Sequence, residues 1–295
     1  MGLIGFDKLF AAADERKPQI PVAVAGGADS TVLSALAEAQ NRGWIQPMIC
    51  GSTTAIETQA RQINVDLSRF TVIDSNSPAA TAVDQVRSGN AQLLMKGQVA
   101  TPDLMKAVLH RETGLRTGKT ICQVVLMEIP RDSRRFLMAD TGITIAPTIE
   151  QASEICDAIA ETANGLGETN PRIAIMAATE KLTDAMPETN LANQLRKLRG
   201  ETNLTIEGPL SFDLAYSANA GSKKQLSGET IGCADAMLFP NLLSANLTVK
   251  AIMYTADCRF GGVLHGVACP VVFMSRADDT ITRLRSLAFA ISQVD

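Results

Sequence analysis

The amino-acid sequence predicts an α/β protein of two domains with mostly parallel sheets, and three observations carry that prediction. Short β-branched and aliphatic runs alternate with helical patterns at a spacing that suits right-handed βαβ crossovers. A strand, turn and helix starting at residue 21 is echoed by a second such start at residue 172, as if a new domain opened there. The chain is 295 residues long, enough for two hydrophobic cores of ordinary size.

Composition narrows the class. Hydrophobic residues make up 46% and charged residues 20%, which describes a folded globular chain, and with aromatics at 4% the core must be aliphatic. A formal charge of −4 supplies no broad basic field, so nucleic acid is not an expected partner. No run of 18 apolar residues and no signal pattern at the amino terminus point to membrane or export, so a cytoplasmic protein is expected. The six cysteines lack any C-x-x-C and stand mostly among apolar residues, as reduced core thiols do. With only His110 and His265 and no H-E-x-x-H, a protein-held metal is not expected.

Taken in order, residues 21–25 read as a strand, Gly26-Gly27 as a turn, and Asp29 or Ser30 as the cap of a helix ending near Gly43. Strands follow at 45–50, 70–73 and 92–95, with helices between them. The Gly26-Gly27 turn does not make G-x-G-x-x-G, and no acidic residue follows at the spacing a ribose contact needs. From Gly118 the pattern changes. Residues 124–129 and 135–140 are joined by a short polar link with no room for a crossover helix, so they read as a hairpin. A helix over 150–163, a strand at 172–178, a helix over 187–198, a strand and turn at 204–209, and a polar segment at 217–224 come next. Residues 236–239 form a buried strand, a helix runs over about 245–254, glycines at 261–262 and 266 relax the chain, residues 270–274 form a last strand, and 280–292 an amphipathic helix.

Candidate site residues fall just after these strands. The run ending at 274 stops at Ser275, Arg276, Asp278 and Asp279, which would face a crevice at the carboxyl end of a parallel sheet, or else form a surface ion pair with Asp279 or Thr280 capping the helix. Lys96 closes the strand at 92–95, Gly97 permits close backbone approach, and Thr101 as cap with Pro102 opens a helix carrying Lys106; together they suit a phosphate. Asn241 and Asn246 place amides after the strand at 236–239, and Lys250 rides on the following apolar helix.

Read together, Met95-Lys-Gly97 with Thr101, residues 139–147 (ADTGITIAP), 207–213 (EGPLSFD), 234–241 (ADAMLFPN) with Asn246 and Lys250, and the closing Ser275-Arg276-Ala-Asp278 resemble the phosphate acetyl- and butyryltransferases. The resemblance runs in family order from about Val22. It implies an isopropylmalate-dehydrogenase-like fold with an interdomain cleft, a first domain of residues 1–140 plus 269–295, and an inserted second domain of 141–268. It also implies a homodimer and a metal-free exchange of a short acyl group between CoA and inorganic phosphate. On that reading acyl-CoA and phosphate are the partners, Arg276 grips phosphate bidentately, and Lys96 adds a point charge. Ser275 donates to the thioester carbonyl, and Asp278, or its neighbour Asp279, takes the CoA thiol proton. The chain departs from the pattern at Cys122-Gln123, where butyryltransferase-like members carry Ser-His, and at Lys106 and Tyr254, where family arginines are expected. A dehydrogenase on the related fold, or a non-catalytic CoA-binding descendant, are the alternatives.

Overall fold

Most of the short aliphatic runs become buried strands because each fits the interior of a sheet covered on both faces, as at residues 20–25, 93–96 and 122–129. The computed structural model describes residues 2–200, 204–275 and 278–294. The chain forms two compact units, named here for their place in the sequence: a flanking unit of Phe6–Lys119 with Gly261–Asp295, and a central unit of Met1–Gly5 with Thr120–Phe260. These divide the chain earlier than residues 140 and 268. The hairpin accordingly belongs to the central unit, because its second strand pairs in parallel with a central strand through Leu137 and Ala236.

In chain order the flanking unit contributes α1 (Phe6–Glu15), β1 (Ile20–Ala25), α2 (Ser30–Asn41), β2 (Ile45–Gly51), α3 (Thr53–Gln62), β3 (Thr71–Asp74), α4 (Pro78–Arg87), β4 (Leu93–Lys96) and α5 (Thr101–Val108). The central unit follows with β5 (Cys122–Ile129), β6 (Arg134–Ala139), α6 (Ile149–Gly165), β7 (Arg172–Met176), α7 (Leu191–Arg199), β8 (Thr205–Leu210), α8 (Phe212–Tyr216), α9 (Ala218–Lys224), β9 (Ala236–Leu238) and α10 (Leu242–Thr255). The chain closes with β10 (Arg259–His265), β11 (Val271–Val272) and α11 (Thr280–Ile291).

Within the flanking unit the strand order is β3-β2-β1-β4-β11-β10. The pairs from β3 through β11 are parallel, and β10 runs antiparallel to β11. Val32, Leu33 and Leu36 of α2 and Leu284, Leu287 and Phe289 of α11 are buried in its core. Asp29 caps α2 with an extended backbone, its side chain accepting from the amides of Thr31 and Val32. In the central unit the order is β5-β6-β9-β7-β8, with the β5–β6 hairpin antiparallel and the rest parallel. Phe136 of β6 meets Phe212 and Tyr216 edge to face at 6.4 and 5.9 Å, concentrating the scarce aromatics at one place in that core.

Three departures from the sequence expectations have physical reasons. The helix α1 was not expected, yet Phe6, Leu9 and Ala13 recur at helical spacing and are all buried. The glycines at 261 and 262 do not loosen the chain: they lie inside β10, and a Cβ on Gly261 would come within 3.0 Å of the Ser286 amide nitrogen. Their role is to let α11 approach the sheet. The polar segment at 217–224 contains α9, because Ala218 to Lys224 carries no helix breaker except Gly221, which Ile231 crowds. No described helix is long and apolar enough to cross a membrane.

Candidate active site

In the flanking unit, β1 leads outward to β2 on one side while β4 enters on the other, so the sheet has its switch point between β1 and β4. Ligands in open α/β sheets gather beyond strand carboxyl ends at such a point. There the turn after β1 and the turn after β4 are locked together: the Gly97 amide donates to Ala25 O at 3.0 Å and the Gln98 amide to Gly26 O at 2.7 Å. A Cβ on Gly97 would stand 1.8 Å from Gly26 O, so no larger residue fits. Gly26 itself has a φ of +79°, which favours glycine.

Lys96 is the last residue of β4 and is only 1% exposed. Lysines are almost never buried so completely without a task that repays desolvation. Thr101 and Lys106 lie exposed on α5. Thr101 is the first residue of that helix rather than its cap; Ala100 holds the cap position and offers no side-chain hydrogen bond.

The strand β11 adjoins β4 in parallel register, Val272 opposite Met95. Ser275 and Asp278 follow it at the same carboxyl edge as Lys96. Ser275 is exposed, its amide donates to Asp278 Oδ2 at 2.6 Å, and its carbonyl accepts from the Asp278 amide at 3.3 Å. Asp279 accepts from the Thr282 amide at 2.9 Å and caps α11. The two neighbouring carboxylates thus have separate structural partners. Arg276 lies outside the described residues.

The remaining sequence candidates stand in the central unit, at the carboxyl ends of the parallel neighbours β6 and β9. A buried carboxylate organises this place. Asp140, 3% exposed, accepts from the amides of Gln123, Gly142 and Ile143 at 3.0, 3.0 and 3.1 Å through one oxygen, and from the Thr144 amide at 2.7 Å through the other. Asn246 Nδ2 donates to Thr141 O at 3.0 Å, and the Leu242 amide to Ile145 O at 2.9 Å, so α10 is stitched to the same turn. Asn241 caps α10 through the Ser244 amide at 2.9 Å. Lys250 is exposed one turn beyond Asn246. Gln123, which departs from the family pattern, lies against Gly142, where a Cβ would come 2.1 Å from its Oε1. Cys122 beside it is fully buried, and burial pushes its thiol well above the ordinary value, so it is inert.

The EGPLSFD stretch plays a holding role. Burial pushes the Glu207 carboxylate up, but bonds from Thr230 and from the Glu229 amide outweigh that and leave it below its ordinary value. Asp140 as an acceptor of four amides was not anticipated; the only signal available was the Asp-Thr-Gly turn after an apolar run.

Lys96, Ser275 and Asp278 thus stand at the carboxyl ends of the adjoining parallel strands β4 and β11, the kind of place where α/β enzymes hold their ligands. Residues 75–291 match the family model described as phosphate acetyl/butaryl transferase. The chain is 34% identical over 275 residues to the phosphate butyryltransferase of Clostridium acetobutylicum, covering 91% of each. It is 35% identical over 293 residues to the phosphate acetyltransferase of Rhizobium meliloti, covering 97% of this chain and 92% of that one. A branched-chain phosphotransacylase from Enterococcus faecalis V583 has a similar structure, with a TM-score of 0.83 at 30% identity over 93% of this chain and 99% of that one. The chain belongs to the phosphate acetyl/butyryltransferase family and is a phosphate acyltransferase.

Proposed function

We propose that this phosphate acyltransferase exchanges a short acyl group between CoA and inorganic phosphate, taking butyryl-CoA at least as well as acetyl-CoA, as a cytoplasmic homodimer with no bound metal or cofactor. The observation that carries the active-site assignment is the gathering of Lys96, Ser275 and Asp278 at the carboxyl ends of the adjoining strands β4 and β11. Lys96 and Arg276 neutralise phosphate, and Gly97 keeps the backbone low enough for an anion to approach. A phosphate oxygen attacks the thioester carbonyl, and Ser275 donates to the oxyanion that forms. The C–O bond to phosphate is kept, the C–S bond breaks, and CoA leaves as thiolate. In the opposite direction Asp278 takes the proton of the CoA thiol so that sulfur can attack the acyl phosphate. The assigned supporting residues are Thr101, Lys106, Asn241, Asn246 and Lys250, which bind the rest of the substrates.

Support for the homodimer is an apolar stripe along α10: Leu243, Leu247 and Tyr254 recur at helical spacing with exposures of 69, 60 and 77%. Leu247→Lys is expected to shift the mass measured by light scattering towards the monomer; an unchanged mass removes this stripe from the interface. The function is tested by free-thiol release from butyryl-CoA and acetyl-CoA. Release is expected to require phosphate, to persist in excess chelator, and to become net hydrolysis with arsenate, because an acyl arsenate decomposes in water. Phosphate-independent release would make the chain a thioesterase instead. A strong preference for acetyl-CoA in kcat/KM would overturn the chain-length assignment, for which one methylene is worth about 10- to 200-fold.

A further inference from the structure

Arg283 lies on the first turn of α11 and is 1% exposed, among the largest fully buried side chains of the protein. Its Nε donates to Thr31 Oγ1 at 3.0 Å and its Nη2 to the carbonyl of Ser275 at 3.3 Å. The Thr31 hydroxyl in turn donates to Asp29 Oδ1 at 2.6 Å, on the carboxylate that caps α2. Burial pulls the guanidinium below its ordinary value, while Asp29, Asp278 and Asp279 push it back up. The charge is therefore kept, at a desolvation cost, in a place facing three carboxylates.

What this arrangement holds is specific. The amide of Ser275 is fixed by Asp278 and its carbonyl by Arg283, so both peptide groups that flank an exposed serine are tied down. Through Thr31 and Asp29 the same guanidinium anchors that serine to the start of α2, the helix that follows the Gly26-Gly27 turn locked against Gly97. One planar fork spans two anchor points, which a lysine ammonium on a flexible stem reaches one at a time.

We propose that Arg283 is a positioning residue for acyl transfer, setting Ser275 and the Asp278 carboxylate against the turns after β1 and β4. The inference rests on Ser275 and Asp278 being active-site groups. A misplacement of about 1 Å in a reacting group costs on the order of 100-fold in rate. Arg283→Lys is accordingly expected to lower kcat about 10- to 100-fold per folded molecule, with the KM values for acyl-CoA and phosphate nearly unchanged. Thr31→Val, which removes the relay hydroxyl, should lower kcat by about 3- to 10-fold, the worth of one hydrogen bond, and Thr31→Ser should restore it. The loss in Arg283→Lys combined with Asp278→Asn should be clearly smaller than the product of the single losses, since both act through one loop.

If Arg283→Lys lowers only the melting temperature and leaves kcat intact, the residue is merely structural and the proposal fails. Multiplicative losses in the double variant overturn it as well. Should Arg283→Lys not fold, the Thr31→Val and Thr31→Ser pair decides: equal kcat in both overturns the proposal. Full activity in Asp278→Asn removes the active-site reading and this inference with it, whereas a slow Asp278→Asn beside a fast Arg283→Lys removes the inference alone.

Discussion

The two units place the candidate side chains at the same kind of position, the carboxyl ends of adjacent parallel strands, yet hold them by opposite means. In the flanking unit the turns after β1 and β4 are fastened backbone to backbone, through Gly97 on Ala25 and Gln98 on Gly26. In the central unit the turn after β6 wraps around the buried Asp140 carboxylate, which takes four amides, and the Asn246 side-chain amide ties α10 to it. Backbone fastening leaves side chains free to meet a ligand but tolerates no added atom. Side-chain fastening spends its charge inwards and allows more give.

The sharpest way to break the comparison is an alanine at each glycine. Gly97→Ala puts a methyl group 1.8 Å from a backbone oxygen that cannot move aside, and is expected either to prevent folding or to cut kcat/KM by at least about 100-fold. Gly142→Ala meets the far end of the Gln123 side chain, which can rotate away, and should cost less than about 1.5 kcal/mol in urea unfolding with little change in rate. Equal effects would erase the distinction drawn here.

A second pair of substitutions separates a carboxylate used on substrate from one used on the fold. Asp278→Asn should lower kcat for acyl-CoA formation about 10²- to 10⁴-fold, with rate returning as pH approaches the ordinary thiol pKa of about 8.5. Asp140→Asn should instead cost about 2–4 kcal/mol of stability, since its new NH₂ confronts amide donors, with the urea slope unchanged. Asp279→Asn should do neither, because both residues cap well. Arg276→Lys is expected to raise the KM for phosphate by about 10-fold while kcat holds, as a point charge replaces a fork.

The smallest expected effect is acid sensitivity in the flanking unit. Burial, with Lys119 nearby, pushes the imidazole of His265 down to about 4 from 6.5. Between those values the unfolded chain binds a proton that the folded chain refuses, so stability falls as pH drops through that window. His265→Gln should flatten this part of a stability profile measured by urea unfolding from pH 7 to 4; an unchanged slope assigns the sensitivity elsewhere.

The strand ends of the flanking unit were legible because their signal is local: a buried run that halts at Lys96, or at Ser275 and Asp278, marks a strand end without knowledge of any other strand. Arg283 was not legible. On a helical wheel it is one more basic residue of an amphipathic helix, and its burial depends on Thr31, 252 positions away in sequence. Asp140 lay within a quoted motif, but its work is done on amides that converge only after the chain has turned at residues 140–144. Asn241 and Asn246 read as ligands, and each makes a structural bond at one of its polar atoms that sequence spacing alone did not foretell. The β10 strand was hidden by its glycines, which signal a turn unless one knows that α11 packs there.

The route of the chain also sets the order in which the enzyme comes into being. The central unit draws on nothing beyond Phe260, so a ribosome delivers its last residue while the flanking unit still lacks β11 and α11. Lys96 and the locked turns around it are made well before Ser275, which lies 179 positions further along the chain, and before Asp278 and Arg283. A nascent chain arrested between Phe260 and Val271 therefore holds every residue of the central unit while β4 still lacks its parallel neighbour β11.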